Sequence, residues 1–164
     1  QIQTVNISEQ FSPLIKVDMT MNNSLTTRIE ISKDRQVSLS LNNNQIQEQA
    51  GKSLTIGLGY RINDFEISLS TANGNRTFSS NLDLNLDLSI RKTSSAIRSI
   101  EENTNQPVSG STDISIKSSA DYVLSERVSM QLFYDRIVKK YEVATSFDTA
   151  NSSFGVKLRF SFGS

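Results

Sequence analysis

Asp83 and Asp87 are the residues best suited by type to do chemistry, because two carboxylates on one surface can share acid and base roles. They sit in Asn81 to Ile90, where Leu82, Leu84, Leu86, Leu88 and Ile90 alternate with Asn81, Asp83, Asn85, Asp87 and Ser89. A helix would spread these leucines around its circumference; only a strand makes the pattern two-faced. Four residues apart on a strand, the carboxylates are separated by roughly 13 Å. Carboxylate pairs that cleave glycosides work at about 5 to 9.5 Å, so the pattern reads as a hydrated wall. Gly57-Leu58-Gly59 matches a dinucleotide loop only weakly, since the third glycine and a following helix are missing. The chain contains no histidine and no cysteine, which removes the commonest general base, metal ligand and thiolate nucleophile. No enzymatic activity, metal or cofactor is expected. Seventeen basic and 17 acidic residues cancel, and without a basic run nucleic acid is not an expected partner.

The elements that carry these residues follow from the same alternation. Apolar residues hold odd positions at Ile15, Val17, Met19 and Met21, then at Leu25, Ile29 and Ile31, across a tight turn at Asn22-Asn23-Ser24. Pro13 marks a strand start or a bulge. Parity continues through Val37, Leu39 and Leu41, which predicts one strand from about Leu25 to Gln45. Residues 42–52 read as a loop. Ser53 to Ile62 is a strand with Gly57, Gly59 and Arg61 on its polar face, and a bulge near Asn63-Asp64 accounts for the shifted parity of Phe65, Ile67 and Leu69. Asn73-Gly74 is a turn signal. After Asn81 to Ile90, residues 92–111 read as a loop, Ile114 to Leu124 as a strand, residues 125–127 as a short turn, Val128 to Tyr134 as a strand and residues 139–152 as a connection. The final strand places Phe154, Val156, Leu158, Phe160 and Phe162 on one face and Gly155, Lys157, Arg159 and Ser161 on the other.

Hydrophobic residues make up only 36% of the chain, and the mean hydropathy is −0.34. A soluble domain holds nearer half, whereas a disordered chain of this composition would carry a high net charge. A transmembrane β-barrel satisfies both facts, because only its lipid face is apolar. No apolar run is long enough for a spanning helix. The expected fold is therefore an all-β, antiparallel, up-and-down transmembrane barrel segment of about seven strands, with residues 1–164 forming the C-terminal part of one barrel domain. Starting at Gln1 without a leader and leaving edge strands that lipid does not tolerate, it is expected to be completed by strands upstream. Arg61, Asp83, Asn85, Asp87, Lys157 and Arg159 would line the lumen. Short turns alternating with long loops suggest a periplasmic C-terminus, with Thr71 to Ser80 as a long exception. Tyr122, Phe160 and Phe162 would join a periplasmic aromatic girdle, and Tyr60, Tyr134 and Phe154 would lie nearer the outer rim.

The ending resembles the C-terminal targeting signal of bacterial outer-membrane barrels, with Ser153, Gly155, Leu158 and Phe160 on its positions and Phe162 beyond them. That resemblance implies insertion by the barrel-assembly machinery. A closer resemblance runs along nearly the whole chain: Glu9-Gln10-Phe11-Ser12-Pro13-Leu14-Ile15, Asn44-Gln45-Ile46, Gly57-Leu58-Gly59-Tyr60-Arg61, Asn81-Leu82-Asp83-Leu84, Asp121-Tyr122-Val123-Leu124, Leu132-Phe133-Tyr134-Asp135 and Phe154 to Phe160, in that order. The sequence is similar to the C-terminal barrel segment of the SprA/Sov family, the outer-membrane translocon of type IX secretion in Bacteroidota. It departs from the family at Ser118-Ser119, where an Asn-Pro is expected. The resemblance implies a very large barrel, of roughly 36 strands, that exports folded cargo proteins and in some members supports gliding motility. Its implied partners are the lipid bilayer, secreted cargo, a smaller cargo-shuttle barrel and a periplasmic plug protein. A diffusion porin or another outer-membrane transport barrel is the alternative.

Overall fold

The computed structural model describes residues 3–71, 74–125, 127–143 and 146–161. They form seven strands: β1 (Thr4–Thr20), β2 (Leu25–Ser40), β3 (Gln45–Thr71), β4 (Gly74–Ser99), β5 (Thr104–Ser125), β6 (Val128–Tyr141) and β7 (Thr149–Phe160). All lie in one sheet in chain order, each antiparallel to its neighbours. No helix occurs among the described residues. The fold is thus all-β and up-and-down, as the alternation predicts. The sheet is open, so β1 and β7 each present an edge without a strand partner among the described residues.

Register sorts the side chains. Ile15, Ile31, Leu54, Ile90, Ile114, Val138 and Ala150 are successive partners across all seven strands, and one pairing step on come Val17, Ile29, Ile56, Leu88 and Ile116. Because side chains alternate with period two, a slip of one residue at any pairing would send a whole strand's apolar set to the other face. On β3 the apolar run from Leu54 to Ile62 is about 27 Å long, the scale of the apolar belt of an outer-membrane barrel. The belt is inclined to the rows. In β1 it begins at Ile15, whose row ends at Ala150, but in β7 it begins four residues further on at Phe154. A belt kept level in a membrane therefore requires tilted strands, as barrel closure does.

No described residue covers this face. Tyr122 is the only fully buried hydrophobic residue among those described, whereas Ile15, Ile90, Leu158 and Phe160 are about half exposed and Phe154 is 74% exposed. The accessible surface is 12118 Å², against about 8,100 Å² expected for a compact monomer of this mass. A single sheet without a second layer has no interior in which to hide one of its faces.

Three stretches that read as loops are largely strand. Gln45 to Lys52 opens β3, Lys92 to Ser99 ends β4 and Thr104 to Ser111 opens β5, while β6 runs to Tyr141 and β7 starts at Thr149. The connections shrink to residues 41–44, 100–103 and 142–148, and β2 stops at Ser40 rather than near Gln45. Here both faces are polar, so alternation leaves no hydropathy signal, while backbone pairing continues regardless of side chain. Thr71 to Ser80 is no long loop either, because Gly74 to Ser80 pairs with Phe65 to Thr71. Ala72 and Asn73 lie outside the described residues, as does Glu126 of the expected turn at 125–127. With these corrections the contrast in loop length between the two ends largely disappears.

Backbone irregularities fall where side-chain chemistry tolerates them. The register shifts between Phe11 and Ile15, around Pro13, and between Ile62 and Phe65, around Asn63-Asp64. Pro13 lacks the N–H that a ladder requires, and Asp64 adopts a left-handed φ of 54°. In the first turn it is Ser24 that takes the positive φ, 64°, rather than either asparagine; Asn23 instead accepts the Leu25 N–H on its Oδ1 at 3.4 Å. Beyond Arg61, β3 loses β2 as a partner, and before Leu82, β4 lacks β5. The two strands continue alone as a hairpin about 30 Å long. At its base the Tyr122 hydroxyl lies 2.9 Å from the Phe65 carbonyl and 2.8 Å from the Phe78 carbonyl, and the Phe65 and Tyr122 rings meet edge to face at 6.2 Å.

Candidate functional site

The polar face holds every lumen-lining candidate. Asp18, Arg28, Gly57, Asp87, Lys117 and Asp135 are successive partners across β1 to β6. Apart from the glycine, their charges alternate in sign. Arg28 Nε reaches Asp18 at 2.9 Å, and Lys16 reaches the same carboxylate at 3.2 Å. Toward the turn at 21–24, Arg61 binds Asp83 with two parallel contacts, Nε to Oδ1 at 2.5 Å and Nη2 to Oδ2 at 3.0 Å. This fork geometry suits a planar guanidinium and a carboxylate. Asn85 donates to Ser119 Oγ at 3.4 Å. Asp121 accepts from Gln131 at 2.7 Å and from Ser119 at 3.1 Å.

Glycines on β3 let side chains of β2 and β4 meet above it. A Cβ on Gly51 would lie 2.5 Å from the Asp34 carboxylate, and that carboxylate reaches across the strand to Arg91 at 3.2 Å. A Cβ on Gly57 would lie 2.8 Å from Asp87 Oδ1. Gly57 and Gly59 floor a shallow trough of about 380 Å³ whose walls include Thr26, Arg28, Asn85 and Asp87. These glycines sit in the middle of a strand, so Gly57-Leu58-Gly59 is a close-approach device and not a phosphate loop.

Arg61, Asp83, Asn85 and Asp87 thus come together on β3 and β4, whereas Lys157 and Arg159 lie on β7, across the sheet. Lys157 Nζ sits 4.4 Å from the centroid of the Phe133 ring. That ring also covers Gly155, where a Cβ would come within 2.7 Å of it. Gly155 therefore has a packing role in addition to its place in the ending. Phe133, Asp18, Arg28, Lys117 and Asp135 were not among the residues expected to line the lumen. Parity carried the signal, since each falls on the polar side once the alternation is followed through every strand.

The aromatic residues need two corrections. Tyr122 is 2% exposed, enclosed at the base of the β3–β4 hairpin, and so presents no ring to lipid. Tyr60 pairs with Leu25 beside the first turn, which puts it in the half of the sheet nearer the short turns rather than at the outer rim. Tyr134 and Phe154 are direct partners, and Phe154 is where the belt of β7 begins, on the side away from the short turns. Phe160 pairs with Val128 at the end where β7 stops, and Leu158 with Met130; both are exposed. Phe162 lies outside the described residues.

No family model matches this chain, and no curated protein is similar to it. The single strand-rich sheet, with no helix among the described residues, is compatible with an outer-membrane β-barrel.

Proposed function

We propose that this sheet is part of the wall of an outer-membrane β-barrel, with its apolar face in lipid and its polar face lining a water-filled lumen. The observation that carries the reading is the register, which gathers the apolar residues of seven strands on one uncovered face and the alternating charges on the other. In water such a face would aggregate; in a bilayer it is the required surface. The bare edges of β1 and β7 then pair with further strands, because unpaired backbone is not tolerated in hydrocarbon. Following the resemblance to the SprA/Sov family, the complete barrel is the protein-conducting translocon of type IX secretion. It exports folded cargo, is inserted by the barrel-assembly machinery, and works with a cargo-shuttle barrel and a periplasmic plug. A wall whose charges are already paired, as Arg61 with Asp83 and Arg28 with Asp18, suits a conduit that must not hold its passenger.

A cysteine scan across Leu82 to Ile90 in the complete protein tests the wall. A water-soluble thiol reagent should label positions 83, 85 and 87 and spare 84, 86 and 88; labelling without alternation overturns the reading. Depletion of the protein then separates translocon from porin. Loss of folded cargo from the medium with unchanged small-solute uptake supports the translocon, and the opposite result supports a porin.

A further inference from the structure

On the belt side of the sheet, at the end away from the short turns, the apolar rows give way to basic residues. Lys33, Lys52, Lys92, Thr112 and Lys140 are successive partners across β2 to β6. They lie one pairing step beyond Ile31, Leu54, Ile90, Ile114 and Val138, hence on the same face. All four lysines are exposed. Lys52 stands directly opposite both Lys33 and Lys92, an arrangement of like charges that destabilises a sheet by itself. Lys92 has an internal counter-charge, Glu142 Oε1 at 2.7 Å, while no acidic side chain bridges to Lys33, Lys52 or Lys140 among the described residues. Arg136 on β6 lies two pairing steps nearer the short turns than Lys140, on the same face, which is the direction in which the belt drifts across the sheet. At the other boundary the rows of Tyr60 and Ile62 hold no charge: Leu84, Ala120, Leu132 and Val156 in one, Leu82, Tyr122, Met130 and Leu158 in the other.

We propose that this lysine row is a docking surface for a multiply phosphorylated glycolipid headgroup in the leaflet at that end of the barrel. The proposal rests on the membrane reading above. A lysine at the edge of an apolar belt lays its methylenes along the last apolar row and extends its ammonium into the headgroup layer. The backbones that carry Lys33, Lys52 and Lys92 span about 10 Å, which is wider than one phosphodiester and suited to a headgroup with two phosphates. An anion on the row relieves the repulsion that the register imposes, and the Glu142 carboxylate already does so for one lysine. With the C-terminal end of β7 on the periplasmic side, as the sequence leads one to expect, this end of the belt lies in the outer leaflet, where such glycolipids reside.

The complete barrel in nonionic detergent should be incubated with bisphosphorylated lipid A, monophosphorylated lipid A or phosphatidylglycerol, and the lipid phosphorus retained per barrel measured after gel filtration. Bisphosphorylated lipid A should be retained at least about tenfold better than the other two, given an effect of roughly fivefold per charge. The K33Q/K52Q/K92Q/K140Q variant should lose that retention, the corresponding arginine variant should keep it, and K16Q/K117Q/K157Q/R159Q on the opposite face should not change it. Equal retention of phosphatidylglycerol, or full retention by the glutamine variant, overturns the proposal. Should the glutamine variant fail to fold, retention by the native barrel decides: it should fall steeply with salt, and salt-independent retention is contrary. Single cysteines at Leu54 and Ile90 separate the two levels. Labelling there by a water-soluble reagent defeats the membrane reading itself, while protection with unchanged retention in the glutamine variant defeats only the lysine proposal.

Discussion

Tyr122 shows how one side chain can close a boundary that the backbone leaves open. Its ring fills the angle where the β3–β4 hairpin departs from β5, and its single hydroxyl proton is shared between the carbonyls of Phe65 and Phe78. A tyrosine at that position of an alternating strand reads from sequence as an aromatic anchor in the headgroup layer, because alternation reports the face and not what covers it. Replacing Tyr122 with Phe keeps the ring and removes the donor, at a cost of about 0.5 to 1.5 kcal/mol. Amide exchange should accelerate in residues 65–68 and 77–80 and remain unchanged in β6 and β7. Uniform acceleration through the sheet would mean that the hydroxyl supports more than the hairpin base.

At the scale of the element, legibility tracked hydropathy contrast. Asn81 to Ile90 was fully readable because leucine and aspartate alternate without a break, and the bulges at Pro13 and Asn63-Asp64 were readable because proline and asparagine-aspartate leave a chemical mark. Gln45 to Lys52 and Thr104 to Ser111 were not, since a strand with two polar faces has the composition of a loop; the pairing that holds it belongs to its neighbours. The polar wall was half legible, with Asp83 and Asp87 visible on their own strand and Asp18, Arg28 and Asp135 visible only across the register. One loop contact has a sign that pH can test. The hydrogen bond from Lys92 holds the Glu142 carboxyl below its ordinary value, with Thr112 contributing. A depressed carboxylate stabilises the structure above the unfolded value and ceases to do so as pH falls through the lowered folded one. Proteolysis within residues 142–148 by an acid-active protease should therefore increase as pH drops below about 4.3, the ordinary glutamate value, and Glu142→Gln should be cleaved readily at every pH.

For the whole molecule, the decisive feature is an uncovered apolar face bounded by two open edges. The last strand presents Leu158 and Phe160 outward, and its free edge is the natural meeting point with an assembly factor. Changing Phe160 and Phe162 together to Ser should lower the amount of protein in the membrane proposed for this sheet, because aromatic residues at the ending contribute apolar area for insertion. The same change at the paired Tyr134 and Phe154, away from the ending, should lower it less. On the proposed translocon role, secretion should fall in proportion to protein level; normal membrane levels with abolished secretion would assign these residues to transport instead.

In the proposed barrel, the alternating row of Asp18, Arg28, Asp87, Lys117 and Asp135 would bear on small ions as well as on proteins. Charges of opposite sign a few ångströms apart cancel within a short distance of the wall, so the centre of a wide lumen built this way carries almost no fixed potential. Such a pore has no permselectivity. In a planar bilayer under a potassium chloride gradient its reversal potential should stay near zero, with conductance proportional to the bulk conductivity even at low salt. Neutralising only the acidic members, Asp18, Asp87 and Asp135, should turn the pore anion-selective, with a shift in reversal potential that grows as the salt is diluted.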